Sequence, residues 1–99
     1  MNSERERLRK AIFGKLRTLC RKLNAQGIPC QYGRSVLSHE EGEVGFRITC
    51  ETTDTAILPR LSLRIGTTVE SFDETNFERG LARVREALAV NGDGNAATG

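Results

Sequence analysis

Tryptophan is absent from this 99-residue chain, and tyrosine and histidine occur once each. A core built without Trp must be aliphatic, with Phe13, Phe46, Phe72 and Phe77 as its expected large pieces. No apolar run approaches the ~20 residues that a helix needs to cross a bilayer. The first residues also lack the charged, apolar and small-residue succession of a secretory signal. These absences predict a cytoplasmic chain with no membrane attachment.

Cysteine is sparse and unpatterned. Cys20, Cys30 and Cys50 are an odd number at wide spacings, no CxxC occurs, and His39 is the one histidine. A structural zinc takes four ligands, usually two of them close in sequence, so no metal is expected. The three cysteines read as free thiols serving as small core residues, with a redox or dimer-linking thiol as the alternative. Catalytic patterns are missing too. The sequence holds no nucleophile elbow, no glycine loop that would cradle a phosphate, and no carboxylates at a mechanistic spacing. His39 falls in the polar stretch "SHEEGE", where Glu40, Glu41 and Glu43 read as a solvated charge run. A chain of this size also has little room for a deep pocket. The expectation is a non-enzyme without a cofactor.

What is present is charge, unevenly spread. The net charge is +2. Residues 1–22 hold eight Lys or Arg against two Glu, a net of +6, while residues 23–99 hold seven against eleven acids, a net of −4. Such asymmetry informs about partners more than about fold.

The basic segment reads as a helix. Leu8, Ile12, Leu16, Leu19 and Leu23 recur at helical spacing, and Cys20 joins their stripe. Ser3 and Glu6 have capping-box spacing. Gly27 fits a left-handed C-cap, Ile28 a Schellman contact with Leu23, and Pro29 a stop. Three strands are expected next, from period-two patterns at 28–33, 44–51 and 60–66. Ile57, Leu58 and Pro59 fit either the last strand or the connection before it. A second helix is expected from Ser71 or Asp73, with Phe77, Leu81, Val84 and Leu88 as its stripe and Asn91 and Gly92 as its end.

One domain over residues 1–91, followed by a disordered tail over 92–99, accommodates all of this. The predicted fold class is α+β, a two-layer sandwich of order α-β-β-β-α. Its antiparallel three-stranded sheet carries both helices on one face, since each element has one apolar side to cover.

Within the first helix, Lys10, Gly14, Arg17 and Arg21 form a stripe opposite the leucines, with Lys15 and Lys22 at its rim. Glu6 and Lys10 make the one favourable i,i+4 pair. Like-charge repulsion costs this helix stability, and Gly14 costs about 1 kcal/mol relative to Ala. A partner lying across the stripe would explain both features. The alternative is a solvated face tuned to the helix dipole, with acids first and bases last. The predicted function is therefore a binding or regulatory module. Its basic helix would engage a nucleic-acid backbone without much base reading, or dock on an acidic protein surface as an inhibitor or accessory subunit. A secondary surface is expected where Arg47, Arg60 and Arg64 share the open sheet face, with Ser62 and Thr49 between them. An edge strand at 28–33 would permit a homodimer by sheet extension, which Pro29 opposes.

The helix–three strands–helix order resembles small RNA-binding modules, including the double-stranded RNA-binding domain and the small protein subunits of the signal recognition particle. The start of the second helix, "SFDETNFE", departs from them, being acidic where phosphate would have to approach. The stretch "RLSLRIGTTVESFDETNFERGLARVREAL" resembles the ending of fold-type I pyridoxal-phosphate enzymes. That resemblance implies that Arg64 holds a substrate carboxylate and that the chain is a remnant of their small domain. The large domain and Schiff-base lysine of those enzymes are not in these residues.

Overall fold

Leu16 and Leu23 are seven residues apart, on one side of a helix, and both are completely buried. Their burial anchors α1 (Asn2–Ala25) on the sheet. The computed structural model describes the backbone of residues 2–98 and the side chains of residues 3–90. The helix ends in the full Schellman arrangement. Ile28 N–H donates to the Leu23 carbonyl at 2.8 Å, Gly27 N–H donates to that of Asn24 at 3.1 Å, and Gly27 has φ +82°. Ile28 is buried beside Leu23, which completes the apolar contact of the motif.

Five antiparallel strands follow in sequential order: β1 (Gln31–Gly33), β2 (Val36–Glu41), β3 (Val44–Thr52), β4 (Ile57–Ile65) and β5 (Thr68–Phe72). The fold is therefore α+β, but the sheet has five strands rather than three and the order is α-β-β-β-β-β-α. Two strands escaped the sequence reading, for different reasons. β2 contains "SHEE", expected as a loop because its core-facing position here is His39, which packs near Phe46, rather than an apolar residue, and because Glu40 and Glu41 are exposed. β5 occupies residues expected to lead into the second helix. Its side chains are mostly exposed, so it shows no apolar alternation. The turns that create these strands use left-handed residues, Arg34 and Ser35 before β2, Gly42 before β3 and Gly66 before β5. Ile57, Leu58 and Pro59 belong to β4.

The register aligns one apolar face. Leu37 lies opposite Ile48, which lies opposite Leu61, which lies opposite Phe72; Phe46 lies opposite Leu63. Leu16 and Leu23 from α1 join these residues in one cluster with Phe77, Leu81, Val84 and Ala87 from α2 (Phe77–Thr98). Both helices thus cover the same face, α1 over β1 to β3 and α2 over β3 to β5. Gly80 brings α2 close, because a Cβ there would sit 2.6 Å from Leu61 Cδ2 and 2.7 Å from the Phe72 ring.

α2 starts later than the capping-box spacings implied. Asp73 accepts from the Thr75 N–H and hydroxyl, and the Asn76 amide oxygen accepts from Asp73 N–H. These bonds close a turn, and the Asn76 carbonyl then accepts the first helical bond, from Gly80 N–H at 3.0 Å. The Thr75 bonds hold the Asp73 carboxyl below its ordinary pKa of 3.8. At its far end α2 passes through Asn91 and Gly92, where an end was expected. Each costs about 1 kcal/mol or less within a helix, too little to force a stop. The disordered tail expected over 92–99 falls among residues whose side chains lie outside those described. Among the described residues, no helix is long and apolar enough to cross a membrane.

Two glycines should therefore resist substitution for different reasons. Gly27→Ala forces a side chain into a left-handed conformation and should cost about 1 kcal/mol. Gly80→Ala drives a methyl into Leu61 and Phe72 and should cost about 1–3 kcal/mol. Urea denaturation of both variants measures these losses. Wild-type midpoints would contradict the C-cap and the close α2 approach respectively.

Candidate functional site

The rotation that buries Leu16 and Leu23 divides the predicted basic patch between two flanks of α1. Gly14, Lys15 and Lys22 face the α2 side, where they line a groove of about 490 Å³ with Thr18, Pro59 and Phe77. The lysines there are engaged. Lys15 Nζ donates to the Ile57 carbonyl at 2.8 Å, and Lys22 Nζ lies 3.4 Å from Glu78 Oε1. Glu78 of the α2 start stands on this side, so it does not offer a free positive surface.

The other flank faces β1. Phe13, expected in the core, is 42% exposed, and Tyr32 on β1 is 38% exposed. They pack on each other edge to face, with ring centroids 5.2 Å apart and an interplanar angle of 86°. The Arg17 guanidinium lies 5.9 Å from the centre of the Phe13 ring, within cation–π range. Together with Arg9, Lys10, Arg34 and Ser35, the two rings line an open notch of about 560 Å³. No carboxylate lines it. Among the described residues, Arg9, Lys10 and Arg34 enter no ion pair, nor do Glu6 and Lys10, despite their spacing. Arg21 is exposed and lines neither flank's cavity.

The β1–β2 hairpin lines one side of the notch. Its two-residue turn places Arg34 at φ 51° and Ser35 at φ 63°. Left-handed backbone costs about 1–2 kcal/mol per non-glycine residue, and such turns ordinarily take Asn and Gly. Here the tip carries an arginine and a serine at that cost, aimed at the same notch as Arg9 and Lys10.

On the open sheet face the three arginines are arranged as expected, with Arg47 opposite Ser62 and with Arg60 and Arg64 two positions to either side. Their charges are unequally available. Arg60 pairs with Glu51. Arg64 donates to the Glu43 and Gly66 carbonyls at 3.2 and 3.1 Å and lies 3.9 Å from Glu40. Arg47 is exposed and makes no ion pair among the described residues. This face offers one unengaged guanidinium beside Ser38 and Ser62, without an aromatic surface.

His39 lies in β2 rather than in a surface loop. Its imidazole packs near Phe46, with Nε2 3.6 Å from Glu41 Oε1. Among the described residues no cluster of His, Cys, Asp and Glu is placed to hold a metal ion.

Of the residues gathered around the notch, the sequence singles out Lys10 and Arg17 but not Arg9, Phe13, Tyr32 or Arg34. The signal for Phe13 was its i,i+4 spacing to Arg17 at the margin of the leucine stripe. No local pattern indicates that Tyr32 returns to meet it.

Gly14 is exposed, and a Cβ built there meets nothing within 4 Å. In the free protein, Gly14→Ala should therefore raise stability by up to about 1 kcal/mol, read from urea denaturation. A destabilised variant would contradict the open surroundings of this residue.

No protein-family model matches this chain, and neither a curated protein nor a solved structure matches it significantly.

Proposed function

We propose that this chain binds single-stranded nucleic acid, largely without sequence preference, through the β1-facing flank of α1. The observation that carries the reading is the exposed Phe13–Tyr32 pair set among Arg9, Lys10, Arg17 and Arg34 without a nearby lining carboxylate. Single-strand binders combine a positive track for the phosphates with aromatic faces on which bases stack. Phosphates would run along the cations, and an unstacked base would enter the notch against the rings. A duplex keeps its bases stacked and has none to offer. Glu78 beside Lys22 would repel a backbone crossing toward α2, which confines the track to one flank.

An acidic protein surface would also meet these cations, but it would have no use for the aromatic pair beyond apolar contact. The two partners separate on one readout. Tyr32 is the sole tyrosine in a chain without tryptophan, so its fluorescence reports directly on the notch.

Fluorescence-labelled oligonucleotides titrated across a salt series test the proposal. Single strands should bind with a log–log salt slope of about −0.7 per phosphate neutralised, and should quench Tyr32. Phe13→Ala should lower affinity about 5- to 150-fold with little change in slope, because a stacking contact is worth about 1–3 kcal/mol. Arg9→Glu/Lys10→Glu should flatten the slope, whereas Lys22→Glu should change little. Absence of binding at low salt, or a Phe13→Ala variant of unchanged affinity, would overturn the reading.

A further inference from the structure

Cys20 and Cys30 are ten residues apart in sequence, and the Schellman turn between them brings their sulfurs back together. The Sγ atoms lie 3.1 Å apart, and each sulfur is 3.7 Å from the other residue's carbonyl oxygen. Disulfide sulfurs sit at about 2.05 Å, so the pair is roughly one ångström from a bond. Both residues are half-buried, so neither is sealed from small reagents. The geometry also distinguishes them. Asn24 Nδ2 donates to Cys20 Sγ at 3.6 Å, and the Cys30 thiol donates to the same sulfur. Two donors converge on Cys20 Sγ. Burial first, and then its bond to Cys20, push the Cys30 thiol up to about 12 from an ordinary 9.0. Cys50 sits on β3 opposite Pro59 and takes no part.

We propose that Cys20 and Cys30 form a reversible intramolecular disulfide, a redox-controlled staple between α1 and the start of β1. The oxidant is a low-molecular-weight disulfide such as oxidised glutathione. The Cys20 thiolate attacks one of its sulfurs, the oxidant's S–S bond breaks, and one glutathione thiolate leaves. Cys30 then gives up its proton and attacks Cys20 Sγ of the mixed disulfide, expelling the second glutathione thiolate. Two protein thiols lose two electrons and two protons, and the oxidant gains them as two thiols.

The staple joins the helix that carries Phe13 and Arg17 to the strand that carries Tyr32, so oxidation holds the two sides of the notch together. That consequence rests on the proposed function. Formation of the bridge does not, and it is read without any ligand.

The full chain, equilibrated in glutathione buffers of graded ratio, is followed by intact mass, by peptide mapping after alkylation and by thermal unfolding. The oxidised chain should lose two hydrogens, carry no glutathione, keep Cys50 open to alkylation, and melt roughly 5–10 °C higher than the reduced chain. Cys20→Ser and Cys30→Ser should each abolish the bridge, and Cys50→Ser should retain it. Separate glutathione adducts on Cys20 and Cys30, or cross-links through Cys50, would overturn the proposal. So would oxidation no more favourable than that of an unstructured dithiol peptide spanning the same two cysteines.

Discussion

The angle at which α1 sits about its own axis decides which of its side chains line each flank of this protein. Leu16 and Leu23 set that angle by complete burial against the sheet, each contributing about 1.5–3 kcal/mol. Gly27 and Ile28 lock it at the helix end, since the Schellman bonds lead the chain straight into β1. With this orientation Phe13 meets Tyr32 of β1 with Arg17 beside its ring, and Lys15 and Lys22 meet the α2 side. A modest rotation would merge or hide the two flanks.

The division has an electrostatic result. On the α2 side a lysine finds a carbonyl and another finds Glu78, so local acids and dipoles absorb the positive charge. On the β1 side the cations face solvent around two exposed rings. Exposed ion pairs such as Lys22–Glu78 add little stability, but they change which charges an incoming polyanion meets. The surface thus gains direction from charge placement even though the whole chain carries only +2. The Cys20–Cys30 approach lies behind this same junction, so α1, β1 and the turn between them act as one unit.

Much of this could be read from residues alone. The leucine spacing of α1 from Ile12 to Leu23, its Gly27–Ile28–Pro29 ending and the alternation of β3 and β4 are local signals backed by burial, and each element is found, although Leu8 at the start of the stripe is exposed. Local patterns failed where burial is partial. β2 puts a histidine where an apolar residue would announce a strand and ends in two exposed glutamates, and β5 is an edge strand whose residues mostly face water. Phe13 has the composition of a core residue, yet it lies one position off the stripe, at the margin of the sheet. The patch assigned to Lys10, Gly14, Lys15, Arg17, Arg21 and Lys22 was legible as charge but not as two flanks, because the dividing line depends on where the sheet edge falls beneath the helix. Tyr32 and Arg34 come from a hairpin whose left-handed turn at Arg34–Ser35 carries no Asn or Gly to announce it.

The central claim is that a partner meets one flank of α1 and spares the other. Residue-resolved NMR of the chain titrated with a short single-stranded oligonucleotide tests it most directly. The account predicts amide shifts concentrated at Arg9, Lys10, Phe13, Arg17, Tyr32 and Arg34, with Lys15, Lys22 and the sheet-face Arg47 unmoved. Shifts centred on Arg47 and its serine neighbours, or spread evenly around α1, would contradict it.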